Sequence, residues 1–384
     1  MPAAPQQTVV VLGAGIGGQV AATRLKERLG TRARVIVVER SAAFTFSPSL
    51  LWLMVGERRP ETITKDFSKL LGRGIELMRA NVTGIDTERS EVLTENAALH
   101  YDYLVIALGA EHDPALLPGA AEHTHHPYDL AAAIRLRDAL AAFGGGRVVV
   151  SIASMPYRCP AAPYETAMLI DGYLRNRGLR DASTIDMYTP EPLPMPVAGP
   201  YIGHSVAAEL AARSIAFHPR SAPSAVGPDS ITIDGAEVPY DFAVVIPPHR
   251  PPALVAATGL AGPSGWIAVD RSSLRTRAAN VYAIGDVTGI PLENGLMLPK
   301  AGVFAHGEAE VAAENIARRI AGNLNEVTFD GHGTCFLETG GGKAGMARGD
   351  FFASPVPAVT MQRPGRLWHL GKVGFEQYWL RRWI

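Results

Sequence analysis

The chain has 384 residues, 47% of them hydrophobic and 19% charged, with a formal net charge of −1. That length calls for two or three domains around sizeable cores, and that balance is wrong for a disordered polymer. Near-neutrality without a basic stripe gives no reason to expect nucleic acid, and no apolar run approaches the roughly 20 residues of a membrane-spanning helix. The opening MPAAPQQ carries no basic region ahead of the apolar run at 9–12, so no cleaved signal peptide is expected.

In chain order, residues 9–12 read as a strand, 13–18 as a glycine turn, 19–28 as a helix and 34–38 as a second strand ending at Glu39. Residues 44–60 are apolar and irregular. Residues 103–108 form a strand closed by Gly109. A second strand–helix unit begins at 147–153, followed by a loop and a helix over 164–175. Strands are expected at 185–188, 242–246 and 281–284, and a helix over 304–320. Strands alternating with helices predict an α/β chain with parallel sheets. The two strand–turn–helix openings, near 9 and 147, predict two Rossmann-like domains.

Gly13, Gly15 and Gly18 give G-x-G-x-x-G between a strand and a helix. The first glycine permits the tight turn, the second lets a pyrophosphate approach the backbone, and the third lets helix and strand pack closely. Glu39 follows at the end of the next strand, where a carboxylate can take a ribose hydroxyl. YDYLVIALGA (101–110) and NVYAIGDVTG (280–289) resemble the other two cofactor segments of two-dinucleotide flavoproteins, with Asp286 expected to hold the ribitol. Together they predict FAD rather than NAD.

The second domain reads differently. VVVSIASMPYRCPAAPYE has no glycine between Gly146 and Gly172, and Pro156, Pro160 and Pro163 remove three N–H donors. A nicotinamide-binding loop is therefore not expected. The loop offers Cys159 instead, beside Arg158, whose guanidinium is expected to favour the thiolate. Glu165 is either a proton-handling acid or an ordinary first-turn acid. The other cysteine, Cys335, lies in GHGTCFLETGGGKAG. No metal site is expected. In the tail, Trp368, Phe375, Trp379 and Trp383 fall on one side of a helix interleaved with basic residues, a face suited to a membrane surface, to a dimer contact or to the core.

GAGIGG, FSPSLLWLMVG, YRCPAAPYE, TPEPLPMPVAG, AIGDVTG, LPKAGVFAHGEAEVAAENI, GTCFLE and LWHLGKVGFEQYWLRRW span nearly the whole chain. Together they resemble the sulfide:quinone oxidoreductase family and the related flavocytochrome c sulfide dehydrogenases. The resemblance implies two glutathione reductase-like domains: a discontinuous FAD domain (1–112 and 265–334), a second domain (113–264) and a C-terminal membrane-associating segment (335–384). It implies non-covalent FAD held by Gly13, Gly15, Ile16, Gly17, Gly18, Glu39, Arg40, Pro48, Val82, Ala107, Leu108, Gly109, Gly285, Asp286, Lys300 and Gly302. Lys300 is expected to place its cation near the flavin or the quinone. Catalysis would fall to Cys159, Cys335 and Glu165, and quinone contacts to His249, Lys372 and His369.

The implied reaction oxidises sulfide to polysulfide or persulfide through the cysteine pair and delivers the electrons from FAD to a quinone. The protein would lie on the cytoplasmic side of the cell membrane as a peripheral protein, with a homo-oligomer left open. The chain departs from many family members in lacking a third cysteine anywhere in 110–158. A cytochrome c acceptor, an NADH:quinone oxidoreductase and a cysteine-based redox sensor are the alternative readings.

Overall fold

The computed structural model describes residues 6–383. A five-stranded parallel sheet is built in the order Val281–Ala283, Tyr103–Ile106, Gln7–Leu12, Ala33–Glu39 and Glu76–Arg79. Side chains alternate across a strand, so Val9 and Val11 enter one core while Val10 and Leu12 enter another. The first core is closed by the helices Ile16–Leu29 and Gly302–Ile320, and the second by an antiparallel meander over Val82–Asp86, Glu91–Thr94 and Ala98–His100. With both faces covered, the strands read as continuous apolar runs.

The second sheet repeats this plan. Ile215–Pro219, Ser183–Thr189, Gly146–Ile152 and Phe242–Ile246 run parallel, with the helices Ala162–Asn176 and Pro200–Ala211 packed into one core and a three-stranded antiparallel sheet on the other face. The α/β expectation therefore holds, including the two dinucleotide-binding-type domains. A third unit follows: three antiparallel strands, His332–Gly340, Lys343–Asp350 and Ala358–Gly365, then a helix over Arg366–Arg382. Its first strand lies against the helix Ala162–Asn176. Gly172 permits that approach, because a Cβ there would meet the Gly341 nitrogen at 3.2 Å.

The C-terminal helix divides its aromatic stripe between the core and the outside. Trp379 and Trp383 are each 1% exposed. Trp379 stacks on Phe44 and Phe46, with ring centroids 5.2 and 5.1 Å away, and Trp383 packs edge-on against His306 beneath Arg24. Indole rings carry the largest apolar area in the tail, and the core takes them. Phe375 of the stripe stays outward, together with Leu367, Leu370 and Tyr378. Among the described residues no helix is long and apolar enough to cross a membrane.

Candidate active site

The two sheets and the C-terminal unit enclose a cavity of about 1040 Å³. At one end lies the glycine turn. Gly13 has φ +90° and a Cβ there would fall 2.5 Å from the Ala107 carbonyl oxygen, so only glycine fits. A Cβ on Gly18 would fall 1.9 Å from the Gly13 oxygen, which makes Gly18 a packing glycine behind the cavity wall. Gly15 has no described neighbour within 4 Å of its Cβ position and faces the cavity. The helix Ile16–Leu29 starts there without a side-chain cap, leaving its first N–H groups for an anion. Glu39 reaches back to the turn, accepting from Ala14 N–H and Ser41 N–H at 2.7 Å each.

The remaining expected cofactor residues line the same space. Ile16, Gly17, Arg40, Pro48, Val82, Ala107, Leu108, Gly109, Gly285, Asp286 and Gly302 all line it, with Ala107 packed against Gly13 and Gly302 against Ile16. Asp286 has its carboxyl pushed up by burial, with Arg158 and Lys300 opposing. An uncapped helix start, a bare Gly15 and acids at Glu39 and Asp286 suit a dinucleotide with a pyrophosphate and two sugar-like chains.

Lys300 lines the same cavity and is held there by the Asp286 turn. Its ammonium donates to the carbonyls of Asp286 (2.8 Å) and Thr288 (3.0 Å) and lies 3.3 Å from the ring centroid of Trp266. Burial pushes it down to about 8 against the pull of Asp286 and Glu308. The cation braces the Asp286 turn at the cavity wall. Its carbonyl, in turn, accepts the Cys159 N–H at 2.7 Å and so docks the cysteine loop on this wall.

Cys159 occupies a left-handed conformation, φ +57°, immediately before the helix Ala162–Asn176. Cys335 comes from the strand His332–Gly340, opposite Ala347. Both are free thiols lining the one cavity. Burial, then Glu165, push each thiol up to about 12, and Cys335 adds to the effect on Cys159. The expectation that Arg158 favours the Cys159 thiolate fails on this geometry. Its guanidinium donates to the Tyr128 carbonyl at 2.5 Å and lies over the Tyr128 ring. The cation acting on both thiols is Lys372.

Glu165, Lys372, Glu338 and His369 form one buried chain of charge. Glu165 accepts from Lys372 Nζ at 3.0 Å and from the Glu338 N–H at 2.8 Å, so it ties the cysteine helix to the Cys335 strand. Lys372 is also 3.9 Å from Glu338, whose carboxylate takes His369 Nδ1 at 3.0 Å. Although burial opposes it, Glu165 and Glu338 hold the Lys372 ammonium above its usual range. Lys372 lines the cavity, while His369 stands behind it against Trp52.

His249 falls outside the cavity wall. Its Nδ1 bonds the Pro247 carbonyl at 2.8 Å, its ring packs on Tyr128 and His112, and burial pushes it down to about 3. A histidine held neutral and packed on Tyr128 does not line the cavity. Nearby, His112, His126 and Asp129 bring potential metal-ligand atoms within 4.8 Å of one another. His126 Nδ1 is turned to the Tyr128 N–H at 3.3 Å and Asp129 caps the helix Leu130–Ala142.

Three acids escaped sequence reading. Glu191 accepts from the hydroxyls of Tyr157 (3.0 Å), Tyr164 and Thr189 (3.1 Å), clamping the cysteine loop on both flanks. Glu308 accepts the Gly285 N–H at 2.5 Å. Glu376 takes Arg58 and Ser49, fixing the C-terminal helix. Each lay inside a quoted motif; the available signal was an acid in an otherwise apolar helical or proline-rich stretch.

A family model described as pyridine nucleotide-disulphide oxidoreductase matches residues 7–309. The mitochondrial sulfide:quinone oxidoreductase of Mus musculus is 25% identical over 371 residues, covering 91% of this chain and 79% of the relative. An Arabidopsis thaliana protein, alternative NAD(P)H-ubiquinone oxidoreductase C1, is 31% identical over 195 residues, covering 44% of this chain and 37% of that one. The crystal structure of sulfide:quinone oxidoreductase from the hyperthermophilic bacterium Aquifex aeolicus superposes with a TM-score of 0.91 at 26% identity, covering 98% of this chain and 91% of that chain.

Proposed function

We propose that this chain, which belongs to the pyridine nucleotide-disulphide oxidoreductase family as a flavoprotein oxidoreductase, oxidises sulfide through Cys159 and Cys335 and passes the electrons by way of FAD to a quinone. The observation that carries this reading is the convergence of two thiols, distant in sequence, on the cavity that also holds the glycine turn and Asp286. The domain bounds 1–112 with 265–334, 113–264 and 335–384 belong to this reading, with the third unit opening slightly earlier, at the strand His332–Gly340.

The thiol environment sets the direction of attack. Thiols pushed up to about 12 are protonated and poor nucleophiles at neutral pH. The pair therefore works from its oxidised form, with HS⁻ as the nucleophile. Attack on Cys159 breaks the Cys159–Cys335 bond, forms a persulfide on Cys159 and releases Cys335 as thiolate, which Lys372 stabilises. A second HS⁻ carries the outer sulfur away as HSS⁻. Reclosing the disulfide yields two electrons and a proton, so two HS⁻ give HSS⁻, H⁺ and two electrons. FAD, when bound, supplies the two-electron acceptor and the route to quinone.

Glu165 holds Lys372 in place and joins the two elements that bear the thiols. Lys372 also gives the quinone end of the cavity a cation, with His369 orienting Glu338 behind it. Both thiols being engaged, FAD is non-covalent, and acid releases it. The outward face of Leu367, Leu370, Phe375 and Tyr378, flanked by Arg366 and Arg381, supports peripheral attachment to the cytoplasmic face of the membrane. The reading is tested by steady-state turnover with a soluble quinone analogue. Sulfide is expected to support it and NADH is not; turnover with NADH alone would overturn it.

A further inference from the structure

Glu308 lies in the helix Gly302–Ile320, is 1% exposed, and accepts the Gly285 N–H through Oε2 at 2.5 Å. The residue next to Gly285 is Asp286, which faces the cavity. Lys300 holds the other side of the same turn through the Asp286 and Thr288 carbonyls. The buried Glu308, the half-buried Asp286 and the Lys300 ammonium thus meet at a single turn of the cofactor site. Arg158 also acts on Asp286, so with every group ionised the two cations only balance the two acids and none is left to offset a cofactor charge.

We propose that Glu308 is a positioning residue of the flavin site that also takes up a proton from water when the flavin is reduced. The inference rests on the flavin reading above but not on sulfide or quinone as substrates. Two-electron reduction with uptake of one proton leaves an anionic flavin, whose charge penalises ionised carboxylates nearby. Glu308 already has its carboxyl pushed up to about 7, by burial and by Asp286, against the Gly285 N–H and Lys300. A further rise carries it across neutral pH. Two electrons then bring in two protons, one to the flavin and one to Glu308.

Other charges packed around this helix are engaged elsewhere. Arg24 and Arg28 of the helix Ile16–Leu29 pair with Glu310 and Glu314, His306 lies 3.7 Å from Glu310, and Glu338 of the strand His332–Gly340 pairs with His369 and Lys372. Only Asp286 and Lys300 act by charge on Glu308.

The test is a spectroelectrochemical titration of the flavin in the purified holoprotein at several pH values above 7, compared with Glu308→Gln. The amide oxygen can still accept the Gly285 N–H, so the variant is expected to retain its flavin. Above pH 7 the wild type should show two protons per two electrons and the variant one, which halves the slope of potential against pH. Equal slopes overturn the proposal: at one proton per two electrons there is no second proton, and at two it belongs to another group, with Lys300 the next. Should the variant lose its flavin, the reduced-minus-oxidised infrared difference spectrum of the wild type decides. A new protonated-carboxyl band supports the proposal, and its absence overturns it. A purified protein lacking flavin absorbance would instead defeat the flavin reading itself.

Discussion

At the residue scale, the proposed chemistry turns on what burial does to Cys159, Cys335 and Lys372. The thiols are held protonated, and the ammonium that relieves them is fixed by Glu165 and Glu338. Replacing either cysteine by Ser is expected to abolish flavin reduction by sulfide while leaving reduction by dithionite intact, as read by stopped-flow absorbance. Normal sulfide-driven bleaching in Cys335→Ser would remove that thiol from the mechanism. Lys372→Met should slow sulfide-driven reduction by a factor of ten or more and destabilise the fold. Removing one partner of a buried pair costs about 3–5 kcal/mol. An unchanged rate in a folded Lys372→Met protein would show that the leaving thiolate is stabilised elsewhere.

At the element scale, the C-terminal helix has a buried aromatic side and an exposed apolar side. Trp379 fills the space between Phe44 and Phe46, and Trp379→Ala is expected to cost about 3–5 kcal/mol, seen as a lower Tm. The paired change Leu367→Glu with Leu370→Glu alters only the outward face. It should leave Tm nearly unchanged and abolish co-sedimentation with liposomes. Retained co-sedimentation would remove the membrane role from this helix. The sequence pattern supplied the helix and its aromatic stripe but left open whether that stripe meets a membrane, a partner or the core. Helical spacing states which side chains share a side; which side is buried depends on a partner, here Phe44 and Phe46, more than 300 residues earlier in the chain.

At the scale of the whole molecule, local pattern explains what was legible. Gly13, Gly15, Gly18, Glu39 and Asp286 could be read because a glycine turn between a strand and a helix needs those residue types at those positions. The absence of a second glycine turn was legible for the same reason. Glu191, Glu308 and Glu376 were not, because their partners come from distant segments that only the fold brings together. Lys300 was legible as a cavity residue but its bonds to the Asp286 and Thr288 carbonyls were not, and His249 lies outside the cavity lining.

Glu191 also gives the molecule a dependence on pH. Its carboxyl stands at 4.5 when unperturbed and is pushed up to about 7 by burial, against the tyrosine hydroxyls. The unfolded chain therefore releases this proton first, and the stability contributed by neutral Glu191 is lost as pH rises from about 4.5 to about 7. Relative to the wild type, Glu191→Gln should gain Tm progressively across that window and hold a constant offset above it. A pH-independent offset would place its carboxyl outside this range.

The account's central claim is that this cavity joins a sulfide-reactive cysteine pair to a flavin. It is tested most directly by anaerobic titration of the purified protein with sulfide while following flavin absorbance, then adding a quinone analogue. Sulfide should bleach the flavin and the quinone should restore it, with NADH causing no change. A flavin untouched by sulfide but bleached by NADH would contradict the account.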